Sequence, residues 1–368
     1  MMSLSSISRL VKLLLITLLL AGCTSERESD KQWAHSDLSS YAAAFSPNGK
    51  YVLVGDTDSP ARLWNIEENK VVYTWQNNEE VGTTTAVGFS GDGKVAATVE
   101  QGGVVSDKKS SFRNEVDIVE QDVIVLWEVA TGEPMMRLSF PARIKAIALS
   151  QHGDYVLLAL YNRTVIYFDV IENRVLQILQ HDGKAVNSPI NQLINTVALS
   201  PSGKYALTGG DDQTARLWKL ETGEQIRSWK HENSVNIVGF YPKGGYVLTG
   251  AGNGQTHFWN MKTGEEKYIL RTSSLWPADK PLPDFPTFKT TISAIDFSTD
   301  GKYLATGHSS RMICLWKVAT GEKVDCWQVA RKQALRPGVV LQAVAFSPDG
   351  KSIYSEAGNG IGQKWILR

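Results

Sequence analysis

Thr196-Val-Ala-Leu-Ser-Pro-Ser-Gly-Lys-Tyr-Ala-Leu-Thr-Gly-Gly-Asp-Asp-Gln-Thr-Ala-Arg-Leu-Trp218 is the stretch on which the fold turns. Apolar residues alternate up to Leu199, and Gly203 offers the positive φ that a tight hairpin needs. A second apolar run, Tyr205 to Thr208, leads through Asp211-Asp212 into a third run that ends on Trp218. The same unit recurs along the chain. Its turn glycine returns at Gly49, Gly93, Gly153, Gly203, Gly244, Gly301 and Gly350, and its closing aromatic at Trp64, Trp127, Phe168, Trp218, Trp259, Trp316 and Trp365. The separation is 15 residues in six copies and 34 from Gly93 to Trp127.

Each copy parses into four short strands, a to d. A second turn, around Gly132, Gly223, Gly264 and Gly321, joins c to d. A four-stranded unit of this length cannot cover both its faces alone, and radial stacking does so. The predicted fold is therefore all-β: a seven-bladed β-propeller of four-stranded antiparallel blades. Its repeats run approximately over 42–76, 85–140, 144–180, 195–230, 235–270, 292–328 and 341–368. The last repeat reaches Trp365 with no strand d of its own, and Lys31-Gln-Trp-Ala-His35 echoes Arg227-Ser-Trp-Lys-His231. Residues 31–35 are thus expected to complete the seventh blade, closing the ring and hiding two sheet edges.

The units from residue 31 to 368 resemble the WD-repeat family, blade four most closely. The resemblance implies a buried hydrogen-bonded tetrad of His181, Thr208, Asp212 and Trp218. Elsewhere the pattern departs from that family. The b–c Asp persists only as Asp58 and Asp212, and the Asp after the strand-c aromatic persists only as Asp169. These departures put the rigidity of individual blades in doubt rather than the fold.

Strands of alternating direction place the a–b and c–d turns on one face of the disc, and the b–c and d–a connections on the other. All the length variation falls on the second face. The b–c connection of blade two carries an insert over Gln101–Gln121, and the connections His181–Ile194, Arg271–Thr290 and Ala330–Val340 are long. Loops on a rigid scaffold are where binding residues concentrate. Trp276, Phe285 and Phe288 sit in a proline-rich loop that reads either as a hydrophobic anchor or as a plug for the central channel. Phe112 and Arg113 lie in the blade-two insert, a polar hairpin or a charged contact element. Arg336 belongs to a small basic cluster with Arg331 and Lys332.

Residues 1–22 have the order of a secretory signal, with Arg9 and Lys12 before an apolar run too short to span a bilayer. Leu20-Ala21-Gly22-Cys23 resembles the bacterial lipobox, which implies acylation at Cys23 as the mature first residue. Thr24 in place of Asp points, by the same resemblance, to the outer membrane with the protein facing the periplasm. Residues 23–30 form a tether to the propeller (31–368), on the side of the short turns. Thr24–Asp30 spans at most about 25 Å.

Lys+Arg and Asp+Glu are both 38. That balance supplies no broad field for nucleic acid. The six histidines show no metal-ligand spacing, and no nucleophile elbow or phosphate loop is present. No enzyme activity, metal or cofactor is expected. Cys314 and Cys326 flank the Gly321 turn and stand either as a disulfide or as two buried thiols. The expected function is a membrane-anchored protein-interaction scaffold whose partner binds the long loops. The alternative is a small-molecule or hydrolytic site at the central channel, which requires carboxylates or histidines converging on the axis.

Overall fold

The structure, a computed structural model, describes residues 27–34, 40–57, 59–76, 82–106, 118–140, 142–181, 193–271, 291–329 and 340–367. Among them, 28 strands form seven antiparallel sheets of four. Six sheets run in simple chain order from a to d. Blade four, for example, is Ile194–Leu199, Tyr205–Gly210, Thr214–Lys219 and Glu224–Lys230.

The seventh sheet is built from both ends of the described chain. Lys31–Ala34 lies outside Ile361–Ile366, followed by Ser352–Ala357 and Leu341–Phe346. Its register pairs Trp33 with Gly362 and Lys31 with Lys364. The expected ring closure is therefore present. The residues just before Lys31–Ala34 also contact the propeller. The Asp30 N–H donates to the Lys364 carbonyl at 2.9 Å, and the Ile366 N–H donates to the Asp30 carboxylate at 2.8 Å. The Arg27 guanidinium lies 5.4 Å from the Trp327 ring centroid. The two hydrogen bonds sit at the end of blade seven's strand c, and Trp327 belongs to strand d of blade six.

The turn chemistry explains why seven copies fold alike. All seven a–b turn glycines have positive φ, between 64° at Gly49 and 81° at Gly153. In four turns a serine closes the loop from both sides. Ser46 donates to Asn48 and accepts the Tyr51 N–H, and Ser90, Ser298 and Ser347 do the same with their own turn acids. Asn at the end of strand c replaces the family's Asp without losing its role. Asn65 accepts the N–H groups of Glu67 and Glu68, as Asp169 accepts that of Glu172.

Strand b is buried on both sides and reads as a continuous apolar run, such as Val52-Leu53-Val54. The core is a set of seams between blades. At each seam an apolar residue on strand d of one blade packs on the strand-c aromatic of the next. Trp75 stacks on Trp127 with centroids 5.0 Å apart, and Trp229 on Trp259 at 5.7 Å. Trp327 meets Trp365 at 5.7 Å, and Phe140 meets Phe168 edge-on at 6.0 Å. At the closing seam Trp33 joins Val52, Val54 and Trp64.

Part of the blade-two insert is paired strand. Strands b and c are prolonged to Val95–Ser106 and Ile118–Glu128, and they remain paired from Val104–Glu120 to Ser106–Ile118.

A Cβ added at Gly362 would stand 1.9 Å from the Trp33 indole, so the closing strand needs glycine there. Gly362→Ala is expected to lower the unfolding free energy by about 1–3 kcal/mol through overpacking. Urea denaturation followed by tryptophan fluorescence checks this, and an unchanged midpoint would contradict the seating of Trp33.

Candidate functional site

Blade four holds the most complete polar network of the disc. Nδ1 of His181 lies 3.0 Å from the Asp212 carboxylate, and its Nε2 lies 2.6 Å from the Thr208 hydroxyl. The Trp218 indole donates to that hydroxyl at 2.9 Å. With the proton on Nδ1, the order runs consistently: indole to hydroxyl, hydroxyl to Nε2, Nδ1 to carboxylate. Thr214 and Arg216 also donate to Asp212, both at 2.8–2.9 Å. Burial alone would raise this carboxyl. The hydrogen bond and charge of His181, with the donors of Thr214, outweigh it and hold Asp212 down at about 2. The network ties strand d of blade three to blade four, so it is a fastening between blades rather than an open reactive centre.

The other blades keep parts of it. In blade five, His231 Nε2 meets Thr249 at 3.2 Å and Trp259 donates to the same hydroxyl at 2.8 Å. The Asp position there is Asn253, and Nδ1 of His231 has no partner among the described residues. Burial and the neighbouring His257 push His231 down to about 4. Blade six reaches the same threonine by a different route. His308, two residues along strand b, stands 2.9 Å from Thr306, which accepts from Trp316 at 2.9 Å. Sequence reading missed this His308 because it looked for the histidine in the preceding loop. In blades two and seven the indole bond recurs, from Trp127 to Thr98 and from Trp365 to Ser355. Val54 and Leu158 offer no hydroxyl in blades one and three.

Cys23, Phe112, Arg113, Trp276, Phe285, Phe288 and Arg336 lie outside the described residues, as do His35 and Asp58. Cys314 and Cys326 stand directly opposite each other on strands c and d of blade six and are joined in a disulfide. Cys314 is fully buried at the seam with blade five, beside Phe258 and Trp316.

Strands a of blades one, four, five, six and seven line a central cavity of about 710 Å³ that reaches the a–b turns at Pro47, Pro201 and Pro242. Its walls are mainly Ala, Val, Ile and Phe side chains. The fifth residue of strand a is Ala44, Gly88, Ala148, Ala198, Gly239 and Ala345 in six blades, and Asp296 in the other. Aligning the repeats position by position would have exposed this exception. The Asp296 carboxylate accepts the Phe346 N–H of blade seven at 2.7 Å. Burial raises it to about 7, against the pull of the N–H groups of Phe346 and Phe297. Among the described lining residues it is the sole carboxylate, and none is a histidine. No group of three or more His, Cys, Asp or Glu positioned for a metal occurs among the described residues. The converging acids that a hydrolytic channel site requires are not found there.

These two displaced groups act in opposite directions on stability. Asp296 holds its proton in the fold up to about 7 against an ordinary 3.8, so its contribution is lost as pH rises through that interval. His231 refuses a proton down to about 4 against an ordinary 6.5, so stability is lost as pH falls through that one. Between about pH 4 and 6.5 the slopes oppose each other. Asp296→Asn is expected to tilt the melting-temperature profile upward with pH across this window, and His231→Gln to tilt it downward. Thermal melts across the window check both, and parallel profiles would refute the assignment.

Comparison with known proteins agrees with this geometry. The WD domain, G-beta repeat family matches residues 179–219, 223–260 and 280–317. Human apoptotic protease-activating factor 1 is 21% identical over 85% of this chain and 28% of its own length. GID complex subunit 7 of Schizosaccharomyces pombe is 24% identical over 49% of the chain and 31% of its own length. Eukaryotic translation initiation factor 3 subunit I of Candida albicans is 26% identical over 50% of the chain and 51% of its own length. The chain thus spans between about a quarter and about half of these relatives. The chain is a seven-bladed propeller, and the units over 179–219, 223–260 and 280–317 match the WD repeat.

Proposed function

We propose that this chain is a protein-interaction scaffold that binds a partner through the long-loop face of the disc. One observation carries the reading. The a–b turns keep one length in all seven blades, while every extension falls on the b–c and d–a side. A propeller under no demand but stability has no reason to elaborate one face alone. Two of the relatives are named as subunits of complexes, which supports a role in assembly. Deleting residues 107–117 and replacing Trp276, Phe285 and Phe288 by serine tests it. Crosslinked partners captured by the parent are expected to disappear, and an unchanged set would remove the reading.

In the same proposal, Cys23 carries lipid and holds the disc at the periplasmic face of a bacterial outer membrane. This part rests on Leu20-Ala21-Gly22-Cys23 and Thr24. With Arg27 to Asp30 docked on blade seven, the leash from Cys23 to Glu26 reaches about 14 Å when extended. Such a leash brings the short-turn face toward the bilayer and leaves the long loops outward. Cys23→Ser is expected to abolish metabolic labelling with an alkyne fatty acid and to release the protein from the outer-membrane fraction. Retained labelling would overturn the anchor.

A further inference from the structure

Blade five breaks the repeat twice on the short-turn face. The a–b turns of the other six begin with Ser46, Ser90, Ser150, Ser200, Ser298 and Ser347, and that of blade five begins with Tyr241. Its strand d differs as well. In six blades the pairing of strands c and d skips one residue of strand d. That residue is Val72, Met135, Leu176, Ile226 or Val324 in five of them, and Lys267 in blade five. A charge thus stands where the repeat otherwise places an apolar side chain, and a ring where it places a hydroxyl.

The two exceptions meet in a pocket of about 390 Å³ at the seam between blades five and six. Tyr246, Phe258 and Tyr268 form a stack with successive centroids 5.3 and 5.1 Å apart. The Lys267 ammonium lies 4.8, 5.7 and 5.4 Å from these three centroids. Tyr241 meets Phe258 edge-on at 6.0 Å and donates to the Gly301 carbonyl of blade six at 3.1 Å. Tyr268 donates to the Val318 carbonyl, also of blade six. The wall is therefore fixed across the seam, and a ligand orders little of it on binding.

Four lysines line the pocket, with Asp300 as the one carboxylate among the described lining residues. Lys302 pairs with Asp300 at 3.1 Å and Lys317 with Glu322 at 2.9 Å. Glu266, beside Lys267, turns to His257. The excess charge is carried by Lys243 and Lys267, both exposed.

We propose that this pocket binds the phosphate headgroup of an anionic phospholipid, its oxygens meeting Lys243 and Lys267 and its glycerol carbons lying on Tyr241 and Tyr246. An ammonium group answers a phosphate as a point charge, whereas a carboxylate is better matched by the paired donors of a guanidinium. No described arginine lines the pocket. Tyrosine, apolar in its ring and polar at its tip, suits the boundary between lipid and water. The pocket opens among the a–b turns of blades five and six. On the anchoring reading above, on which this assignment rests, the leash from Cys23 brings that face toward the bilayer.

The test uses the chain from Thr24 onward, which keeps every strand of the propeller and carries no acyl group. It is sedimented with vesicles of phosphatidylcholine, alone or with about one third phosphatidylglycerol. Binding to the anionic vesicles and not to the neutral ones is expected. Lys243→Gln with Lys267→Leu should weaken it by about tenfold or more. Leucine at 267 restores the residue type of the other blades, so the fold is kept. Tyr241→Ser, which restores the turn serine, should cause a smaller loss. Lys204→Gln with Lys351→Gln, exposed on the same face, should change binding by less than about twofold. Absence of vesicle binding, equal binding to neutral vesicles, or equal loss in the second lysine pair overturns the assignment. So does tighter binding of soluble glycerol phosphate or of a glutamate-rich peptide. Fatty-acid labelling at Cys23 judges the anchor separately: labelling without vesicle binding removes the pocket alone, and vesicle binding without labelling removes the anchor alone.

Discussion

The disc depends on one repeated contact: an apolar side chain on the outermost strand of each blade packed on the strand-c aromatic of the next. Trp75 on Trp127 and Trp229 on Trp259 are its flattest forms. Each donor indole also reaches the next blade's c–d turn, at Gly132 and Gly264. The contact is directional around the ring, so every blade needs a strand d from its predecessor. Blade one receives Trp33, and Trp33 is on the strand that completes blade seven. Closure by the N-terminal strand therefore satisfies the same demand as the other six seams. It also pairs a sheet edge that would otherwise invite association.

The polar networks are secondary to that packing and vary accordingly. Blade four has the full set, blades five and six show three members each, and blades two and seven show an indole bonded to a hydroxyl. A buried network of this kind adds geometric precision only where each member is satisfied. Where the aspartate is absent, the structure removes the need for it. His308 approaches Thr306 from strand b itself, and His231 stays neutral because burial disfavours its charged form. Erosion of the repeat pattern has changed the fastening of individual blades without changing their packing.

The two faces of the disc follow from the same economy. Turns on the a–b side are fixed by glycine at positive φ and by serine bonds within the turn, which leaves no room for insertion. On the opposite face the length differences fall on the b–c connection of blade two and on three of the d–a connections. In blade two the lengthening begins as paired strand, out to Ser106 opposite Ile118. In blade three the b–c turn stays short, and the surface beside it is altered by Arg143, Lys145 and Tyr161.

The sequence by itself determined the number of blades, the a–b turns and the closing strand. Each of these is written in spacing along one chain: glycine to aromatic, or Trp33 set beside its copy Trp229. Covalent geometry carries such signals directly. Only the tertiary structure decided which positions meet across blades. A bulge between Leu315 and Trp316 brings Cys314 opposite Cys326, and a shift of one residue would have separated them. Asp296 is one acid among many until the ring places it at the axis against the Phe346 N–H. His308 joins its network because strand b is buried between two neighbours, and Arg27 finds Trp327 because the chain's ends meet in one blade. Contacts of this kind depend on the curvature of the closed ring and on register within each sheet, and neither is expressed by the order of residues within a single repeat.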